Sequence, residues 1–256
     1  MSTTLRISHG TLAFANLKVR EQLIDYQPYA LRNGVSMAAN LREAFTAHPD
    51  RAGGQAQAMV DSPLMLLPVE EYRDASTLGD LYGQTFTGYE GYHVDHCVLP
   101  DLNVVAAFAV NKDVRQVLAD RFESVRYLPV IQPVVSYLHR RGTGAMHRQL
   151  YAYLHDKEID ICSFNRNRFR FYNRYDASHQ RDAVYFLLYV WNQLAFDAHA
   201  DELHLCGDVD RTLQEDLQRY LRHVHTITPA AEFNRAPVTN RQDIPFDVMT
   251  LFIKGR

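Results

Sequence analysis

The sequence predicts an α/β protein of two lobes, each with a mixed sheet flanked by helices, and two observations carry that prediction. The first is a recurrence. Thr3 to Ser8, Thr11 to Leu17 and Gln22 to Gln27 read as three short strands in a meander, followed by a helical pattern after Ser36. Past the midpoint, Leu150 to Leu154, Ile159 to Phe164 and Phe169 to Tyr175 repeat that order ahead of a long apolar helix after Ser178. The second is alternation: strand and helix periodicities follow one another with few breaks, as layers of sheet and helix require. A duplicated fold of this kind is expected to hold its ligand in a cleft between the halves.

Taken in order, Ser36 is the expected N-cap of a helix in which Met37, Leu41, Ala44 and Phe45 keep helical spacing until His48-Pro49. Gly53-Gly54 turns the chain. Ala56 to Val60 and Leu64 to Leu67 are strands broken at Asp61-Ser62-Pro63, and Leu78, Leu81, Tyr82 and Phe86 mark a short helix. Leu102 to Val110 is almost continuously apolar, the pattern of a central strand covered on both faces. Val114, Val117, Leu118 and Phe122 form the stripe of the next helix, Val125 to Ile131 is a further strand, and Pro133 opens a linking helix to about Arg140. Arg141-Gly142-Thr143-Gly144 is the expected junction, giving an N-terminal lobe at 1–141 and a C-terminal lobe at 142–256. It is short, so the halves are expected to pack as one body.

In the second half, Val184 to Trp191 is apolar on every side and is expected to be a helix enclosed by protein. A strand at Leu203 to Cys206 precedes a helix carrying Leu213, Leu217, Tyr220, Leu221 and Val224. That helix starts near Asp210 or Thr212, and Arg222 and His223 at its C-terminus favour its dipole. Phe233 to Asp243 contains Pro237 and reads as a loop, while Phe246 to Ile253 reads as a closing helix or an edge strand.

Composition narrows the function classes. With 256 residues, 46% of them apolar, the chain can bury a full core. A formal charge of -3, with signs mixed along the chain, gives no basic field for nucleic acid or anionic lipid. Cys97, Cys162 and Cys206 are odd in number and lack C-x-x-C spacing, which argues against a disulfide framework or zinc ribbon and fits reduced thiols in the cytoplasm. No basic region followed by an apolar one opens the chain, and the longest apolar run, Ala183 to Trp191, is too short to cross a bilayer. Neither export nor membrane insertion is expected.

Several segments together resemble a known fold. They are L-R-I-S-H-G-T-L-A-F near the N-terminus, Val98 to Val110, F-Y-N-R-Y from Phe171 to Tyr175, D-A-V-Y-F-L-L from Asp182 to Leu188, and L-H-L-C-G-D from Leu203 to Asp208. The chain resembles the actin-like ATPase (ribonuclease H-like) superfamily of actin, sugar kinases and Hsp70 chaperones. Within it, the resemblance is to a bacterial domain-of-unknown-function family distantly akin to the pilus-assembly protein PilM and the secretion protein GspL.

The resemblance implies a MgATP site built from two phosphate hairpins and an adenosine loop. Each hairpin needs a glycine turn whose N–H groups face phosphate, and an Asp for Mg2+. Ser8-His9-Gly10-Thr11 keeps a glycine but has no Asp. His155-Asp156-Lys157-Glu158 has an Asp but no glycine, and Leu205 to Asp210 has one glycine, Gly207, and two aspartates near a helix N-terminus. The candidate cleft residues are therefore Ser8, His9, Gly10, Thr11, Asp156, Lys157, Gly207 and Asp208, none assigned a catalytic role. All three elements are degenerate, so the leading expectation is a non-catalytic binding or scaffold protein with a protein partner and no cofactor. The alternative is a divergent ATP-binding protein or ATPase using ATP and Mg2+.

Other constellations read as structural. His93-x-Asp95-His96-Cys97 offers metal-ligand types on one strand, but no second cluster completes a set, so no metal site is expected. Asn165-Arg166-Asn167-Arg168, with Arg170 and Arg174, is read as a hairpin turn with solvent-facing arginines rather than an RNA surface. His139-Arg140-Arg141 and His147-Arg148 are read as solvated helix-end and linker charges. No G-x-S-x-G or P-loop is present, and the cysteines lack an adjacent base.

Overall fold

The computed structural model describes residues 2–18, 23–165, 168–233, 241 and 243–253. The chain divides into two compact units, Met1–Val98 with Val104–Gln132, and Leu99–Asn103 with Pro133–Arg256. The helix expected to link the halves, at Gln132–Gly142, thus counts almost entirely with the second unit.

The first unit contains β1 (Ser2–Ile7), β2 (Leu12–Lys18), β3 (Leu23–Tyr29), α1 (Met37–Ala47), β4 (Gln55–Val60), β5 (Leu64–Pro68), α2 (Ala75–Thr85), β6 (Tyr92–Leu99), β7 (Val104–Asn111), α3 (Lys112–Ala119) and β8 (Ser124–Pro129). Its main sheet has the order β3-β2-β1-β4-β8, an antiparallel meander continued by parallel β4 and β8. The expected cap of α1 is present, with Ser36 Oγ accepting the Ala39 N–H at 3.3 Å, and Leu41, Ala44 and Phe45 are buried. Gly53 and Gly54 turn the chain at φ 96° and 67°. A second, three-stranded sheet, β5-β7-β6, has β7 at its centre. Val104 to Val110 are buried throughout, as a strand covered on both faces requires, and α2 packs Leu78 and Tyr82 on Val105, Ala107 and Ala109. The strand starts after Leu102 because Pro100–Leu102 form a 3-10 turn closed by Asn103 at φ 55°.

The second unit contains α4 (Gln132–Gly142), β9 (Gln149–His155), β10 (Glu158–Asn165), β11 (Arg168–Asp176), α5 (Gln180–Gln193), β12 (Glu202–Gly207), α6 (Arg211–Leu217), β13 (His223–Thr226), α7 (Pro229–Glu232) and α8 (Phe246–Phe252). Its sheet order, β11-β10-β9-β12-β13, repeats that of the first unit, so the duplication expected from the sequence is a duplication of topology. The two faces of this sheet differ. One presents Leu150, Ala152, Ile159, Ile161, Leu203 and Leu205 to α5 and α6. The register places Tyr153 between Asp160 and Cys206, and Tyr151 between Cys162 and His204, on the other.

Three expectations are corrected here. Helix α5 is not enclosed: Ala183, Leu187, Val190 and Trp191 are buried, but Tyr185 and Tyr189 are 62% and 46% exposed. A phenol keeps its ring in contact with the helix surface while its hydroxyl meets water, so an all-apolar run containing tyrosines need not be surrounded. Helix α6 ends at Leu217, and His223 and Val224 lie in β13, so Arg222 and His223 do not serve its dipole. Arg174 is not solvent-facing; its side chain is 11% exposed and ion-paired. Of the arginine-rich turn, Arg166 and Asn167 lie outside the described residues, as do 234–240 and 242 of the expected loop. The last segment, read as helix or strand, is helical. Among the described residues no helix is long and apolar enough to cross a membrane.

Candidate functional site

In the first unit, β1 and β2 are joined by the Ser8 to Thr11 turn, closed by Ser8 N–H donating to Thr11 O at 2.8 Å. Ser8 is buried. Its Oγ accepts from Arg6 Nη1 at 3.2 Å and donates to Thr11 O at 3.5 Å. Arg6 itself is 2% exposed, a buried guanidinium beneath the hairpin that the strand pattern did not single out. Gly10 has open space where a Cβ would point. His9 Nδ1 lies 3.7 Å from the fully buried carboxylate of Asp61.

A cavity of about 400 Å³ opens beside this turn, with Ser8, His9, Asp61, Ser36, Asn111 and Asp113 among its lining residues. Its wall is preformed by Asn40, which is buried. Asn40 Oδ1 accepts the Arg32 N–H at 2.8 Å, and Nδ2 donates to the carbonyls of Arg32, Val35 and Ser36 at 3.4, 3.2 and 3.2 Å. The N-terminus of α3 is already satisfied, since Asn111 Oδ1 accepts the N–H groups of Asp113 and Val114 at 2.9 and 3.1 Å. Two carboxylates, Asp61 and Asp113, then oppose a polyanion in this cavity unless a cation accompanies it.

In the second unit, β9 and β10 are joined by a two-residue turn with Asp156 at φ 46° and Lys157 at φ 66°. Both central residues are left-handed, as a type I′ hairpin requires, although neither is glycine. The Lys157 carbonyl accepts the Ala177 N–H at 2.8 Å. Behind the turn lies a buried ionic network. His155 reaches Asp156 through Nδ1 at 3.3 Å and Asp160 through Nε2 at 2.7 Å. Asp160 accepts from Arg174 Nε and Nη2 at 2.8 and 3.0 Å and from Tyr172 OH at 2.5 Å, while Arg174 also pairs with Glu158 at 2.9 Å. Tyr153 stacks on His155 at 4.6 Å and donates its hydroxyl to Asp247 at 2.7 Å.

Burial pulls the His155 pKa down, but the hydrogen bonds to Asp156 and Asp160 and the charge of Asp160 outweigh it and raise the pKa to about 10. Burial likewise favours the neutral form of Asp160. The Arg174 charge and the His155 contact prevail and hold its carboxyl well below the usual range.

Gly207, at the end of β12, has φ +86°. A Cβ there would lie 2.1 Å from the Leu154 carbonyl and 2.7 Å from the Tyr153 ring. Asp208 N–H donates to that same carbonyl at 2.8 Å. Asp210 caps α6 by accepting the Thr212 N–H at 3.0 Å. Because Gly207 pairs with Leu154, the fold brings Asp156, Lys157, Gly207 and Asp208 to one end of the β9–β12 pair. Ser8, His9, Gly10 and Thr11 belong to the first unit.

Several residues of the remaining clusters have protein partners. Asp95 pairs with Arg115 at 2.9 Å, His96 Nε2 meets Tyr72 OH at 3.1 Å, and Cys97 Sγ lies 3.6 Å from Gln132 Oε1. His139 is not a solvated helix end; it is buried, with its ring edge-on to Phe164 at 5.1 Å. Arg141 pairs with Glu232 at 3.2 Å, and Arg148 donates to the carbonyls of Leu194 and Ala195 at 2.7 and 2.8 Å.

The sequence profile of the protein family of unknown function DUF3822 matches residues 2–224. The chain belongs to the DUF3822 family. No curated protein sequence matches it. Among solved structures, a Bacteroides thetaiotaomicron VPI-5482 protein described as having an actin-like ATPase fold and unknown function is similar. The match has a TM-score of 0.81 at 23% identity, over 90% of this chain and 91% of the other. A chain of the PilM–PilN type IV pilus biogenesis complex matches with a TM-score of 0.53 at 9% identity, over 90% and 89%. The cytoplasmic domain of EpsL, an inner-membrane component of the type II secretion system of Vibrio cholerae, matches at 0.45 and 14% identity, over 80% and 81%. The actin-like ATPase fold expected from the sequence is the fold of this DUF3822 chain.

Proposed function

We propose that the protein is a non-catalytic binding module, an actin-like frame that engages a protein partner in the cytoplasm without turning over nucleotide. The observation that supports this reading is the state of the second unit's loops. The Cβ position of Gly207 is taken up by Leu154 and Tyr153, Asp210 occupies the N-terminus of α6, and Asp156 is tied to His155. Groups that would approach a nucleotide are engaged by the chain itself. The PilM–PilN neighbour is described as part of an assembly, which agrees with a protein partner.

A second reading, a divergent ATP-binding protein or ATPase, is favoured by one feature, the preformed cavity beside Ser8 and His9. Two measurements separate them. A ligand raises the melting temperature in proportion to RT ln(1 + [L]/Kd), so titration with MgATP is expected to leave it unchanged. Purified protein is also expected to hydrolyse neither ATP nor GTP above a no-enzyme control. A dose-dependent rise lost in Gly10→Val or Asp156→Ala, or an ATPase that co-elutes with the protein and disappears in Asp156→Ala, would establish the second reading instead.

A further inference from the structure

We propose that the outer edge of β11, which pairs with β10 and with no further strand among the described residues, is a docking strip for an extended, acidic segment of a partner protein, which adds to the five-stranded sheet of the second unit. The inference rests on the partner-binding reading above and names the surface and the chemistry of the partner.

An edge strand displays unpaired N–H and C=O groups, and proteins blunt such edges with prolines, short strands, bulges, charged side chains or covering groups. The other edges follow that rule. Strand β3 carries Pro28, β5 ends in Pro68, β8 ends in Pro129, and β13 has only four residues. Edge β6 lacks proline, but its Asp95, His96 and Cys97 are held by Arg115, Tyr72 and Gln132. Strand β11 runs for nine residues without proline, and its bulge and exposed arginines are confined to the Arg168 to Arg170 end. Its ladder with β10 is regular from Phe171 to Asp176 and shifts at Ser163/Phe164, leaving Arg170 as the unpaired residue of a bulge.

Helix α5 supplies a flank for this edge. Phe186 stacks on Tyr175 of β11 at 4.4 Å and 18°. Tyr189, three residues on, and Tyr185 lie parallel at 16° with centroids 6.2 Å apart, and both are exposed. An edge strand beside a helix with outward aromatic rings is the geometry of strand addition: main-chain bonds supply affinity, and alternate side chains of the added strand pack on the helix. Charge selects the partner. Arg168 and Arg170 are exposed at the bulged end and have no acidic partner among the described residues, whereas Arg174 is committed to Asp160 and Glu158. An incoming strand with carboxylates at that end gains charge-assisted hydrogen bonds there.

The test is selection of a displayed library of random short peptides against the full chain. Enriched sequences are expected to combine alternating apolar residues with Asp or Glu at one end. They should protect backbone amides within Phe171 to Asp176 from hydrogen exchange. Affinity should fall about tenfold or more in Arg168→Glu/Arg170→Glu and in Tyr185→Ser/Tyr189→Ser, with melting temperatures unchanged because all four side chains are exposed. Failure to enrich any sequence, or binding that survives both double variants, overturns the proposal. Self-association abolished by Arg168→Glu overturns it in favour of a second copy. Peptides that protect a different segment overturn the β11 assignment and leave partner binding standing; the MgATP titration decides that reading separately.

Discussion

Replacing Gly207 with alanine tests whether this glycine serves packing or a ligand. At φ +86° a side chain is strained, and left-handed backbone costs an L-residue about 1–2 kcal/mol. The added methyl would also lie 2.1 Å from the Leu154 carbonyl, a main-chain atom fixed in the β9–β12 ladder. Neither group can rotate away, so the strands must part, and overpacking of this kind costs about 1–3 kcal/mol. Together the expected loss is roughly 2–5 kcal/mol, read as a lower urea midpoint at unchanged slope. Gly10→Ala is the control: the space at its Cβ is open, so a change within about 0.5 kcal/mol is expected. A Gly207→Ala midpoint equal to wild type would refute the close strand approach, and with it the view that the chain fills this loop itself.

Leu187→Ala is expected to cost about 2–5 kcal/mol by denaturation, because Leu187 is fully buried, and Leu188→Ala distinctly less, because Leu188 is only half-buried; equal losses would restore the enclosed helix. The His155–Asp160 network predicts a window of pH stability. His155, raised to about 10, contributes fully below its unfolded pKa near 6.5, and that contribution is lost as pH rises towards 10. Asp160, lowered, contributes fully above its unfolded value of 3.8, and that contribution is lost as pH falls below it. Wild-type stability measured against pH should therefore fall on both sides of that window, and Asp160→Asn should flatten both limbs. Burial pushes the Cys97 thiol up to about 11 and raises those of Cys162 and Cys206 as well. Native protein should therefore resist alkylation near pH 8, and labelling of Cys97 at the rate of a free thiol would contradict its burial.

The sequence made the elements legible where one local rule decided them. Ser36 capped its helix, Gly53-Gly54 turned, and the apolar run before Asn111 became a buried strand because each depended on neighbouring residues alone. The failures share a physical cause. Whether Arg174 faces water depends on Asp160, its neighbour across the ladder, and whether Tyr185 is enclosed depends on what packs above α5; neither partner is local in the chain. The same holds at the candidate site. The turn residues followed from the resemblance to the actin-like fold, whereas Arg6 beneath one hairpin and the ionic network behind the other became visible only through pairing. Asp156 and Lys157 adopt positive φ without the Asn-Gly signature, so the turn type was also hidden.

The unlike faces of the second-unit sheet also bear on how that sheet finds its alignment. A slip of one residue between β9 and β10 would turn Asp160 towards Leu187 and Trp191 and set Ile159 and Ile161 among tyrosines and histidines. An ordinary amphipathic strand that slips exposes some hydrocarbon. Here the misaligned chain would bury a carboxylate without its guanidinium, an error on the order of several kcal/mol. The charges that tie the finished sheet together thus also penalise the wrong pairings.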